Sequence, residues 1–154
     1  MSEQVQQPIF GIEKIYVKDL SLEVPGAPMV YLDGNMPEIQ IQIGHAMQPM
    51  EGALFEVSLR VTVAGMVGEK AQFMVEVSQA GIFQATNVAE EDMGTLYGIV
   101  CPNVLFPYAR ETVSDLVTRA GFPPVLLSPI NFELLLQQRL AEAEQEASRI
   151  QVAP

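Results

Sequence analysis

From Cys101 to Leu135 the chain reads CPNVLFPYARETVSDLVTRAGFPPVLLSPINFELL, and its prolines restrict the backbone more than any other feature of the sequence. Pro102, Pro107, Pro123, Pro124 and Pro129 each fix φ and delete a backbone donor, which predicts a series of short pieces instead of one helix or a central strand. Large apolar side chains fill the same stretch and no catalytic grouping interrupts them. It reads as a segment built for packing and contact.

Upstream, the period is two. Between Ala53 and Val63 the apolar residues Phe55, Val57, Leu59, Val61 and Val63 alternate with Glu56, Ser58, Arg60 and Thr62, the pattern of an antiparallel strand with one wet face. Gln72 to Phe83 alternates again, and the glycines of GMVGEK at 65 to 70 suit a hairpin joining the two. Glu38 to Ile43 supplies a third strand, after a connection rich in turn residues. Residues 9 to 23 supply the first, with an apolar phase that slips near Ile15 to Val17 and so calls for a bulge or twist. His45 falls just past the third strand, in an expected loop.

After about residue 88 the β pattern stops. Glu90, Glu91 and Asp92 suit a helix N-terminus, where the macrodipole favours negative charge. Ala109, Val113, Leu116, Val117 and Ala120 predict a first main helix over Tyr108 to Ala120, ended by Gly121. Ser128 and Pro129 suggest the cap and first turn of a second, whose Ala-, Glu- and Gln-rich end projects into solvent. One domain over 1 to 154 is expected, loose at residues 1 to 8 and from about 147.

The chain's 154 residues suffice to bury a core without staples. Apolar residues make up 49% of it, yet its formal charge is −11. Such hydropathy in a small domain implies apolar surface outside the core, in an interface or a binding groove, while the acidity maintains solubility. A field of that sign disfavours nucleic acid and anionic lipid. Cys101 is the only cysteine, which excludes an internal disulfide and fits a reducing cytoplasm. No apolar run reaches the length that spans a bilayer, and the amino-terminal MSEQVQQPIFG has no export-signal pattern.

Chemistry-bearing residues are few. His45 is the only histidine and has no nucleophile motif beside it. One Cys and one His without matched spacing make no zinc site, and no phosphate-binding glycine loop is present. The residues imply no enzyme, no metal and no cofactor. A small-molecule binding or enzymatic α+β domain stays open as an alternative, and would require a closed pocket with convergent polar groups.

The segments IYVKDLSLEVPGAP at 15 to 28, FEVSLRVTV at 55 to 63, GIF at 81 to 83 and CPNVLFPYARETVSDLVTRAGFPPVLLSPINFE at 101 to 133 closely resemble the SecB family of protein-export chaperones, over roughly residues 9 to 140. The resemblance implies an α+β fold, a four-stranded antiparallel sheet with two main helices packed on one face, assembled as a homotetramer, a dimer of dimers. It implies an ATP-independent cytoplasmic chaperone that holds unfolded precursor polypeptides and delivers them to the SecA motor. A chaperone dedicated to a single client, such as an antitoxin, is the alternative within the family. In relatives the zinc-containing, basic carboxy-terminal tail of SecA docks on the acidic face of the sheet, which maps to Asp19, Glu23, Met74 and Glu76. Client grooves between the connection after the first strand and the second helix map to Val24, Val30, Tyr31, Met36, Phe132, Leu135 and Leu136. Alternation independently puts Asp19 and Glu23 on one strand face and Met74 and Glu76 on another.

Overall fold

A computed structural model describes residues 6–152. Four strands, β1 (Ile9–Glu23), β2 (Glu38–Pro49), β3 (Leu54–Val67) and β4 (Lys70–Thr86), form one antiparallel sheet in the order β1-β4-β3-β2. The hairpin expected at 65 to 70 is present, with Gly68 at φ +61° in the turn between β3 and β4. In β1 the register against β4 shifts between Ile12 and Lys14 and again between Val17 and Asp19. Those two bulges flank the segment where the apolar phase slips, and they keep Phe10 and Ile15 on one face and Tyr16 and Asp19 on the other. β2 runs six residues past Ile43, and His45 is a strand residue paired with Leu59 and not a loop residue. Gly44 does not stop the strand because Arg60 pairs with it in unbroken register.

Glu90–Thr95 (α1), a wide π turn at Leu96–Val100, and Cys101–Arg119 (α2) form one continuous helical run. The main helix therefore starts seven residues before Tyr108, and it contains both Pro102 and Pro107. A proline ring collides with the carbonyl four residues earlier, which for Pro102 is that of Gly98, inside the π turn whose widened geometry relieves the clash. Pro107 and Asn103 both lie on the exposed side, so the Asn103 carbonyl that Pro107 leaves without a helical donor is within reach of solvent. Leu105, Ala109, Val113 and Val117 recur every four residues and are fully buried against Val57, Leu59, Val61, Val75 and Val77 of the sheet. Each side chain of valine or leucine size so buried stabilises by about 1.5–3 kcal/mol.

Gly121, at φ +89°, ends α2 as expected. Its N–H donates to the Thr118 carbonyl at 3.0 Å, and the Phe122 N–H donates to that of Val117 at 3.2 Å, a Schellman closure. The last helix, α3 (Phe132–Val152), starts later than Ser128, because Asn131 is the residue that caps it: Asn131 Oδ1 accepts the Leu134 N–H at 3.0 Å. Phe132 anchors α3 edge-on against Phe106, and everything from Leu140 to Ile150 is exposed. Of the ends expected to be loose, residues 6–8 carry no regular structure and 147–152 are helical, while 1–5 and 153–154 lie outside the described residues.

Candidate functional site

The Schellman closure that ends α2 aims Phe122 back over the sheet. There its ring lies 4.7 Å from Phe73 and 5.6 Å from Tyr31, centroid to centroid. Tyr31 is fixed in turn, since its hydroxyl donates to the Ala120 carbonyl at 2.6 Å. From Phe122 the chain runs without regular secondary structure through Pro123, Pro124 and Pro129 to Asn131, pinned midway by the buried Leu127. Between this strap and β2 lies a groove of about 600 Å³. Ile39, Ile41 and Ile43 form one wall, Phe73 and Phe122 contribute to the lining, and Val125, Leu126 and Ile130 form the other wall. Its surfaces are overwhelmingly apolar and remain wet: Ile39 is 39% exposed, Ile41 45% and Leu126 77%. No charged side chain lines it.

Of the seven family-derived groove residues, one lines this channel, one backs it and the other five lie elsewhere. Met36 lines it directly and is 91% exposed. Tyr31 stacks behind it on Phe122. Val30 lines a separate hollow of about 540 Å³ with Met29, Lys70 and Ala71. Val24 and Leu135 pack on the core, Phe132 is 2% exposed inside it, and Leu136 lies against Gly98. Sequence reasoning did not select Ile39, Ile41, Ile43 or the Pro123–Pro129 strap. The signal for the isoleucines was already visible in EIQIQI, whose apolar row needs a covering layer that the two main helices do not supply.

The opposite face of the sheet is polar. Register places Asp19 beside Ser78, Ser21 beside Glu76 and Glu23 beside Met74, so Asp19, Glu23, Met74 and Glu76 share one surface. Glu23, Met74 and Glu76 line a shallow hollow with Ser21 and Thr62, and Met74 is 41% exposed within it. Arg60 approaches Glu76 at 3.4 Å, an exposed and therefore weak pair. Farther along the face, Glu56 accepts hydrogen bonds from Lys18, at 2.7 Å, and from the Tyr16 hydroxyl. The Lys18 bond, then the Tyr16 bond, hold the Glu56 carboxyl below the usual range, while partial burial and Glu56 push the Tyr16 phenol up to about 12.

Cys101 is fully buried and its thiol is pushed up to about 12 by desolvation, the opposite of an activated nucleophile. His45 has its ring against Arg139 of α3, and burial followed by that positive charge lowers its pKa. Among the described residues no three of His, Cys, Asp and Glu stand together as metal ligands. No described helix is long and apolar enough to cross a membrane.

An open α+β sheet, acidic on one face and grooved with apolar residues on the other, defines a protein that presents surface to a polypeptide. The sequence comparisons narrow the class. The family model described as preprotein translocase subunit SecB matches residues 3–143. The protein-export protein SecB of Chromobacterium violaceum is 59% identical over 146 residues, covering 94% of this chain and 97% of that one. Its namesake from Neisseria gonorrhoeae is 53% identical over 145 residues, covering 94% and 97%. A SecB-like chaperone of Mycobacterium tuberculosis, solved with a peptide from an antitoxin, superposes with a TM-score of 0.65 at 18% identity, covering 79% of this chain and 88% of that one; at that identity it supports the fold alone. The chain belongs to the SecB family of protein-export chaperones. Export, not service to a single client, is the function its relatives share.

Proposed function

We propose that this protein holds unfolded precursor polypeptides in the cytoplasm without ATP, seating their extended apolar segments along the groove between β2 and the Pro123–Pro129 strap, and passes them to the SecA motor. The observation that carries this reading is the wall of half-exposed isoleucines facing Leu126, an apolar channel open to solvent and free of charged lining residues. A groove of that kind gains from burying any apolar segment and selects for none, which is the chemistry a general holder needs. Met36 belongs to the same surface and Tyr31 backs it through Phe122, while Val30 lines a separate hollow and Val24, Phe132, Leu135 and Leu136 are packed inward.

Asp19, Glu23, Met74 and Glu76 are the proposed dock for the basic, zinc-containing tail of SecA. Carboxylates around one exposed methionine suit a basic peptide with an apolar contact at its centre. The proposed assembly is a homotetramer. β1 is an edge strand that exposes Ile9, Ile12, Val17 and Leu20, and α2 turns Arg110, Glu111, Ser114 and Asp115 outward, so one apolar and one polar surface await partner subunits. Light scattering at micromolar concentration should give the mass of four subunits.

Titration with an isolated SecA carboxy-terminal tail peptide, with and without zinc, tests partner and site together. Binding is expected to weaken at high salt and to fall at least tenfold in the Asp19→Lys, Glu76→Lys double variant. Undiminished binding by that variant rules out the docking face.

A further inference from the structure

On its groove-side face β2 carries the row Ile39, Ile41, Ile43, His45, Met47, apolar throughout except for one residue. That residue is where α3 touches the strand. Arg139 Nη1 lies 2.9 Å from His45 Nδ1, and Nη2 donates to the Ile43 carbonyl at 3.2 Å. A guanidinium has only donors, so Nδ1 accepts and the neutral ring carries its proton on Nε2. The Ile43 carbonyl lies on the free edge of β2, away from β3, so Arg139 covers both the side-chain row and the strand edge at this point. On α3, Phe132, Leu135, Leu136 and Arg139 follow helical spacing along one face, and Arg139 is the last of them before the exposed half of the helix. Beyond the clasp the row resumes with Met47, 39% exposed, next to Met50, 43% exposed.

We infer that Arg139 is the end-stop of the groove: by clasping His45 and the Ile43 carbonyl it separates the channel at Ile39–Ile43 from the apolar patch at Met47 and Met50, and thereby limits the length of extended segment the groove accepts. This rests on the reading of the groove as a polypeptide site. Pro37 and the first six residues of β2, through Ile43, offer roughly seven residues of wall, about 23 Å of extended chain. Removing the clasp would join the Met47 patch and add about four residues.

The test has one arm without any ligand and one with labelled peptides of alternating leucine and serine, seven and eleven residues long. In nitrogen-15 spectra of the free protein, His45 should show a single neutral tautomer protonated on Nε2, and Arg139→Ala should show a mixture. The same mixture in both proteins overturns the clasp, whatever the peptides do. With peptides, the wild-type protein should bind the two lengths within twofold of each other, whereas Arg139→Ala should bind the longer at least fivefold more tightly. Met47→Asp should be silent in the wild type and abolish that gain in the Arg139→Ala background. A uniform loss for both lengths in Arg139→Ala, or a Met47→Asp defect already present in the wild type, overturns the end-stop. Failure of the wild type to bind either peptide counts against the holding function itself, and leaves the tautomer measurement to decide the clasp.

Discussion

Replacing Ile41 with aspartate separates the groove from the rest of the sheet. Ile41 is 45% exposed, so a bound segment can still bury about half of it. Full burial of such a side chain is worth about 1.5–3 kcal/mol, which leaves about 1 kcal/mol available to the ligand. A carboxylate at the same position must also be partly desolvated by an apolar segment, adding about 1–2 kcal/mol in a channel that stays wet. The sum, about 2–3 kcal/mol, corresponds to a loss of affinity of about 30- to 150-fold. Losing the buried half of Ile41 costs the fold about 1 kcal/mol, small beside a typical stability of about 5–15 kcal/mol. Gln42→Asp is the matched control, because Gln42 pairs with Thr62 on the acidic face one residue away. Fluorescence anisotropy with an unfolded, labelled precursor fragment reads both variants. Ile41→Asp should lose client binding and keep the SecA tail, and Gln42→Asp should keep the client. Equal client affinity for the two folded variants would refute the assignment of the groove.

Other expectations concern single groups. His45 should titrate below 6.5 by NMR, and Arg139→Ala should raise its pKa, since burial and then the Arg139 charge lower it. A lowered folded-state pKa means fewer protons bound in the folded than in the unfolded state, so this residue's contribution to stability is constant above about 6.5 and declines as the pH falls below it. A flat urea midpoint between pH 7 and pH 5 in the wild type, with unchanged His45 titration, contradicts this. Cys101 should resist thiol reagents at pH 8 in the native protein and react fully in urea, in line with a thiol at about 12; rapid native labelling would show the helix start to be open. Gly65→Ala should destabilise by about 1–3 kcal/mol in urea unfolding, because the added Cβ would fall 2.3 Å from the Phe73 ring. An unchanged midpoint there would mean that the base of the groove is loosely packed.

The strands were legible because their signal is local. Alternation at Phe55–Val63 and at Gln72–Phe83 names both the strand and its buried face, and the phase slip in β1 marked the stretch that two bulges enclose. The start of α2 was not, because Pro107 reads as a break when only its own neighbours are considered. It is tolerated in place because the helix is already running from Glu90 and its outer face is wet. Position 128 offered a fair helix cap and position 131 a better one, and the choice depends on Leu127 and Phe132 reaching the core, a tertiary fact. Strand parity grouped Asp19 with Glu23 and Met74 with Glu76, but that the two pairs share one surface depends on the β1–β4 register, which parity within each strand does not give. The groove was not legible, since half of it is an irregular proline strap whose position over β2 depends on the Schellman turn at Gly121 and on Phe122 meeting Phe73. Arg139 and His45 lie far apart in the sequence, and no spacing rule links them.

Passive holding through the groove can be read from the refolding rate of a slow-folding precursor in nucleotide-free buffer, measured against increasing concentrations of this protein. The rate should fall and level off at a low value with the wild type, and stay near the uninhibited value with Ile41→Asp. A rate that is unaffected at tenfold excess of the wild type, or that slows only when ATP is added, would contradict the account.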